Sequence, residues 1–311
     1  MRPMNSYIDL PDLTHQRAVV TGASDGIGLH IATRLAEAGA DIVLPVRNPA
    51  KGEAAMDTIR AVVPGARVRT EQLDLSELAS VAAFGSVMQD RGEPIHLLIN
   101  NAGVMTPPER QSTSDGFEVQ LGTNHLGHVA LVAHLFPLLR AGRARVTSQV
   151  SVAASRGTIS WDDPNSTRSY DGMRAYRQSK IALGLFGLEL NRRSVRGGWG
   201  ITSNLSHPGV APTSLLSARP ELGRATDTPE VRIIRWASAR GLIVGTPETA
   251  ALPALLAATS GPGGLLFGPR GLGHLGGMPA EQRLYRPLRS IADAERIWEM
   301  SERLIGTPLP S

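Results

Sequence analysis

Short apolar runs alternate with longer amphipathic stretches along most of this chain. Residues 17–21 read as a buried strand, 27–38 as a helix, 41–46 as a second strand and about 50–63 as a second helix. This rhythm predicts parallel pairing, because a helix carries the chain back to start a neighbouring strand in the same direction. Further strands are expected at residues 67–71, 96–100, 144–149, 201–205 and 264–267, with long helices over 116–139 and 175–193. The stretches 106–115, 158–172 and 261–278 read as loops. The last, rich in glycine and proline, leads into a terminal helix at about 291–305 and looks like an appended tail. No internal repeat is present. The pattern is that of an α/β fold built on a parallel sheet of about seven strands.

The 311 residues, 41% hydrophobic and 19% charged, suffice for one large α/β domain or at most two small ones. The absence of cysteine excludes disulfides, a thiolate nucleophile and a cysteine zinc site, and suits a reducing compartment. No apolar run approaches the roughly 20 residues of a membrane span, and residues 1–11 lack the pattern of a signal peptide. A cytoplasmic location with no membrane partner is therefore expected. The charge of +4 is modest and the arginines are scattered, apart from Arg192, Arg193 and Arg196, so nucleic acid is not an expected partner.

Between the first strand and its helix lies Thr21, Gly22, Ala23, Ser24, Asp25, Gly26, Ile27, Gly28. Glycines at a strand-to-helix turn let backbone amides approach a pyrophosphate, and the positive helix N-terminus stabilises it. The alternative is a plain βα turn. The second strand ends Leu44, Pro45, Val46, Arg47, with no carboxylate to bond the adenosine ribose of NAD(H). Arg47 offers a fork for a 2′-phosphate instead, so NADP(H) is preferred. Lys51, at the start of the next helix, is either solvated or assists Arg47. Asp74 with Leu75 follows the third strand, placed to meet the adenine edge; a helix cap before Ser76 is the competing reading for the aspartate.

Of the 32 basic residues only Lys51 and Lys180 are lysine. Lys180 follows Tyr176 by four, which puts both side chains on one helix face, one turn apart. An unperturbed phenol, with a pKa of about 10, is a poor general base at neutral pH, and a nearby ammonium lowers that value. Tyr176 then exchanges a proton near working pH. The competing reading is a solvated helical pair.

At the fourth strand the chain reads Asn100, Asn101, Ala102, Gly103. With the glycine loop and the Tyr176/Lys180 pair, this resembles the short-chain dehydrogenase/reductase family, in family order over about residues 17–267. The resemblance implies one doubly wound Rossmann domain with helices on both faces, a core at about 15–268 and a C-terminal extension at 269–311. It also implies a nicotinamide cofactor and carbonyl/alcohol chemistry. By similarity, Asn101, Ala102 and Gly103 line the adenosine side of the cofactor. Ser151 matches the serine that bonds the substrate oxygen, with a spacing to Tyr176 like that of the retinol-dehydrogenase-like branch. Ser148 and Ser155 compete for that role, and Val150 stands where the family usually has a second serine. Asn124 matches the asparagine that holds a water in the proton relay to lysine. His207, Pro208, Gly209, Val210, Ala211, Pro212, Thr213 resembles the segment beside the nicotinamide, where the Val210 backbone and Thr213 would hold the carboxamide.

Two other features carry less. His125 and His128, three apart, lack a third metal ligand and read as packing or surface groups, so no metal is expected. Asp162 and Asp163 read as a surface turn. The function expected is hydride transfer between nicotinamide and a carbonyl or secondary alcohol of an apolar small molecule, with apolar residues at 213–244 (Leu215, Leu216, Ile233, Ile234, Trp236, Leu242) shaping the substrate space. A non-catalytic NADP-sensing module and a sugar-nucleotide epimerase or dehydratase are the rivals. Self-association as a homodimer or homotetramer is expected through the helices at 116–139 and 175–193, unless the tail covers those faces.

Overall fold

A computed structural model describes residues 8–211 and 245–310. The strands form one sheet: β1 (Arg17–Val20), β2 (Asp41–Val46), β3 (Val68–Gln72), β4 (Leu97–Asn100), β5 (Arg145–Gln149), β6 (Thr202–Ser206), β7 (Leu266–Pro269) and β8 (Pro279–Gln282). Their spatial order is β3-β2-β1-β4-β5-β6-β7-β8, parallel throughout except that β8 runs antiparallel to β7. The order reverses between β1 and β4, where diverging helices leave a crevice at the carboxyl ends of the strands. The expected sheet of about seven strands is thus one strand short. β8 lies in sequence without strand character, and it pairs only at an edge, where a proline at its first position is tolerated.

Seven helices cover the sheet: α1 (Gly26–Glu37), α2 (Pro49–Val62), α3 (Leu78–Arg91), α4 (Gly127–Ala141), α5 (Gly172–Gly197), α6 (Pro247–Thr259) and α7 (Ile291–Ile305), counted among the described residues. One face buries Ile31, Ile59 and Leu252 from α1, α2 and α6. The other buries Phe84, Leu131, Phe186 and Trp298 from α3, α4, α5 and α7. Apolar packing on both sheet faces accounts for the near-continuous hydrophobic runs of β1, β2 and β4. Among the described residues no helix is long and apolar enough to cross a membrane.

Two helices escaped the sequence reading. α3 carries a helical spacing at Val81, Phe84 and Met88, whereas α6 is apolar on all sides and has no period to read. The helix expected from 116 starts later, as a π turn at Leu121–Leu126 that runs into α4. Before it, Ser112 bridges Glu118, Gly116 turns at φ +83, and the buried Glu118 carboxylate accepts the Leu121 N–H at 2.8 Å. α5 begins earlier than expected because Asp171 caps it, accepting from Arg174 N at 2.6 Å, and ends where Gly198 turns left-handed at φ +62.

Candidate active site

A cleft of about 1210 Å³ opens at the crevice between the β1 and β4 ends and runs along the carboxyl edge of the sheet. Gly22, Ser24, Asp25, Gly26, Ile27 and Gly28 line its floor at the N-terminus of α1. At Gly22 and Gly28 a side chain is excluded by close packing. A Cβ on Gly22, whose φ is +65, would lie 2.8 Å from Ala102 Cα, and one on Gly28 would run into the Gly22 carbonyl. The turn is fastened to β4 from below. Thr21 Oγ1 accepts from Asn101 N (2.9 Å) and Ala102 N (3.0 Å), and Asn101 Nδ2 donates to Thr21 O at 2.8 Å. Asn101, Ala102 and Gly103 line the cleft as expected, but the Asn101 amide is used to hold the loop.

At one end the cleft is cationic. Arg47 and Lys51 line it beside the start of α2, where Asn48 caps by accepting Lys51 N at 3.2 Å. Arg47, two-thirds exposed, lies 3.9 Å from Asp74. Asp74 and Leu75 line the same end, and Asp74 Oδ1 also accepts from Ser76 N (2.9 Å) and Oγ (2.6 Å). The aspartate thus forms the local turn that competed with an adenine contact, while its other oxygen faces Arg47.

Ser151, Tyr176 and Lys180 line the cleft beyond the end of β5. Ser151 caps a 3₁₀ turn (Val152–Ser155), accepting Ala153 N at 3.2 Å. Its competitors are elsewhere: Ser148 is buried in β5 and Ser155 Oγ donates to Val152 O at 2.7 Å. Tyr176 and Lys180 are both buried, at 4% and 3% exposure, so the solvated-pair reading fails. Lys180 Nζ donates to Gln149 O at 2.9 Å, and burial pulls its pKa down to about 8. Burial pushes the Tyr176 phenol up from its ordinary value, and the Ser151 hydroxyl beside it acts the other way. The expected lowering of the phenol by the ammonium does not prevail here; taking both groups out of water favours the neutral form of each.

Asn124 sits in the π turn, fully buried, behind the cleft wall. Its Oδ1 accepts Val104 N at 2.8 Å, and its Nδ2 donates to Val104 O and Ser179 Oγ, both at 2.9 Å. The side chain therefore joins the strand after β4 to α5. The Asn124 carbonyl accepts from His128 Nδ1 at 3.0 Å, and His128 Nε2 reaches Thr21 Oγ1 at 3.0 Å. His125 bonds Ser301 Oγ at 2.7 Å, so both histidines are internal ties. Asp163 closes a turn, accepting Thr167 N (2.8 Å) and Arg168 N (2.9 Å).

Pro208, Gly209 and Val210 line the far end. Val210 lines the cleft as expected; its N donates to Leu275 O at 2.8 Å and its O accepts Gly245 N at 2.9 Å, bonds that tie this segment to the rest of the chain. Thr213 and the apolar residues at 213–244 lie outside the described residues. The sequence reading did not single out Gln149 for the site. It lines the cleft, and its amide joins Asn101 Oδ1 (2.7 Å) to Ser206 Oγ (3.3 Å) while its carbonyl holds Lys180. A polar residue ending a buried strand was the available signal. Val104, Met105, Val152, Ala153 and Ala211 add an apolar wall.

The cleft fits a dinucleotide: its floor is a glycine turn at a helix N-terminus, where Gly22 and Gly28 have no room for a Cβ, and its length runs from Arg47 to Pro208. Comparison with known proteins agrees. The short chain dehydrogenase family profile matches residues 16–221. Retinol dehydrogenase 13 of Homo sapiens is 38% identical over 295 residues, covering 94% of this chain and 85% of its own length. Polyprenol dehydrogenase of Mus musculus is 36% identical over 305 residues, covering 96% and 86%. Among solved structures, an uncharacterized protein from Mycobacterium paratuberculosis superposes with a TM-score of 0.77 at 33% identity, covering 97% of this chain and 98% of that one. These relatives give no support to the epimerase or sensing-module readings. A nicotinamide-binding, hydride-transferring alcohol/carbonyl oxidoreductase is what they share with the geometry, and the chain belongs to the short-chain dehydrogenase/reductase family, in its retinol-dehydrogenase-like branch.

Proposed function

We propose that this chain is an NADP(H)-dependent oxidoreductase that interconverts an apolar carbonyl compound and its alcohol. The carrying observation is the convergence of Ser151, Tyr176 and Lys180 on one wall of a cleft whose other end is cationic. A nicotinamide held in the cleft would supply or accept the hydride. Tyr176, held protonated by burial, gives its proton to the substrate oxygen during reduction, and Ser151 donates to the same oxygen as charge develops. Lys180, oriented by Gln149 O, steadies the phenolate that forms. Arg47 and Lys51 at the start of α2 are suited to a 2′-phosphate, and no carboxylate stands at the end of β2 to select a bare ribose. The wall formed by Val104, Met105, Val152 and Ala153 suits an apolar substrate, as do the names of the retinol and polyprenol relatives.

The test combines NADPH or NADH with a panel of apolar aldehydes and ketones. NADPH-dependent reduction is expected, with Tyr176→Phe abolishing turnover while leaving NADPH binding nearly intact. Arg47→Glu should weaken NADPH far more than NADH. Undiminished turnover in Tyr176→Phe would refute the catalytic assignment, and an unchanged cofactor preference in Arg47→Glu would refute the phosphate site.

A further inference from the structure

His207 is fully buried just past β6, with no ionic partner among the described residues, one residue before the Pro208–Ala211 wall of the cleft. Its hydrogen bonds fix its tautomer. Gly209 N–H lies 3.3 Å from Nδ1 and can only donate, so Nδ1 is the bare nitrogen and the proton sits on Nε2. That Nε2–H then donates to Gln282 Oε1 at 3.0 Å, which orients the amide so that Gln282 Nε2 donates to Pro269 O at 2.9 Å and approaches His274 Nδ1 at 3.0 Å. The chain of bonds runs in one direction, from the Gly209 backbone through His207 to the end of β8.

The space around this chain admits little else. A Cβ on Gly268 in β7 would run into His207 Nε2, and one on Gly209, at φ +71, would run into the Leu275 carbonyl. The loop before β8 adds the Val210 N to Leu275 O bond. The titratable groups facing the imidazole are His274, whose ring centroid is 6.5 Å away, and Tyr285, at 5.7 Å. Burial keeps the imidazole neutral against the Gln282 hydrogen bond, which acts the other way, with His274 assisting burial, and this neutral form is the one able to accept from Gly209.

We propose that His207 and Gln282 form a positioning strut through which the C-terminal strand sets the Pro208–Ala211 wall for the nicotinamide half of the cofactor. The inference rests on the dinucleotide reading of the cleft and goes beyond it by making β8, outside the glycine loop and the Tyr/Lys pair, part of the cofactor site. Neither residue lines the cleft; Gln282 acts through His207, and His207 through the backbone N–H of Gly209.

The experiment compares binding of NADPH with binding of 2′,5′-ADP, which carries the adenosine end alone, by calorimetric or fluorescence titration. Gln282→Met removes both amide functions on an edge strand, where the chain is best able to tolerate a change. His207→Asn keeps an acceptor near Gly209 but loses the donor to Gln282. In both variants the dissociation constant for NADPH is expected to rise roughly tenfold, about the worth of one hydrogen bond, with that for 2′,5′-ADP unchanged. A second readout is the histidine ¹⁵N spectrum: wild-type His207 should show the Nε2–H tautomer, and Gln282→Glu, which sets a carboxylate against the ring, should convert it to imidazolium near neutral pH. Wild-type protein that binds neither ligand would overturn the cofactor reading itself. Wild type that binds both, with variants unchanged or equally weakened for both ligands, would overturn the strut alone.

Discussion

Burying a lysine costs the site stability. Taking Lys180 out of water lowers its pKa from 10.5 to about 8, which corresponds to roughly 3 kcal/mol of lost stability at neutral pH. The hydrogen bond to Gln149 O returns only about 1 kcal/mol. The folded state binds its proton less tightly than the unfolded one, so the penalty is complete below about pH 8 and disappears as the pH rises to the ordinary lysine value. Lys180→Met should therefore unfold at higher denaturant than wild type at pH 7, by roughly 2 kcal/mol, with the difference shrinking by pH 10.5 and activity lost. Equal stability of the two proteins at pH 7 would show that Lys180 carries no such cost. The lysine was legible in the sequence because only two lysines stand among so many arginines and one lies a turn from a tyrosine. Its environment was not, since burial comes from Gln149 and Gly103, on strands and loops distant in the chain.

Apart from α3, whose spacing went unread, elements with their own period are readable in the sequence, and elements defined by their neighbours are not. β1, α1 and β2 announced themselves through apolar runs and the glycine turn, and the structure places them within a residue or two of expectation. β8 reads Pro-Ala-Glu-Gln and becomes a strand only because β7 offers an open edge. The terminal helix was visible, but its role was not: α7 buries Ala294, Ile297, Trp298, Ser301 and Ile305 along one stripe. Trp298 stacks on Phe186 of α5 at 5.1 Å between ring centroids and carries the Arg193 guanidinium 4.6 Å from its ring. Trp298→Ala removes a fully packed ring and leaves a cavity against α5, so a loss of about 3–5 kcal/mol is expected. Although α5 also carries Tyr176 and Lys180, Trp298 packs on it at Phe186, outside the cleft, so the loss should appear in thermal unfolding while the KM for cofactor in the surviving folded enzyme stays near wild type. A stability unchanged within experimental error would mean that the helix is not docked as described.

At the scale of the molecule, the C-terminal segment completes surfaces that the Rossmann core leaves open. β8 covers the β7 edge, and α7 lies across α5 and the π turn, with Ser301 meeting His125 at 2.7 Å. The sequence expectation placed self-association on the helices around 116–139 and 175–193. Phe186 and His125, on just those elements, are already fully buried within one chain. Any pairing of two copies through that face has to displace α7, and with it a tryptophan that buries roughly 150–250 Å². Truncation after residue 290 would uncover Phe186, His125 and the adjoining apolar residues as one contiguous patch, of the kind that marks an association surface. The truncated chain is therefore expected to self-associate with rising concentration in sedimentation velocity, under conditions where the full chain shows no such dependence arising from this face. Replacing Ile297 and Trp298 together with aspartate should undock the helix without removing it and give the same shift. If both altered chains sediment as the full chain does, α7 is not what closes that surface, and the core must satisfy its α5 face in another way.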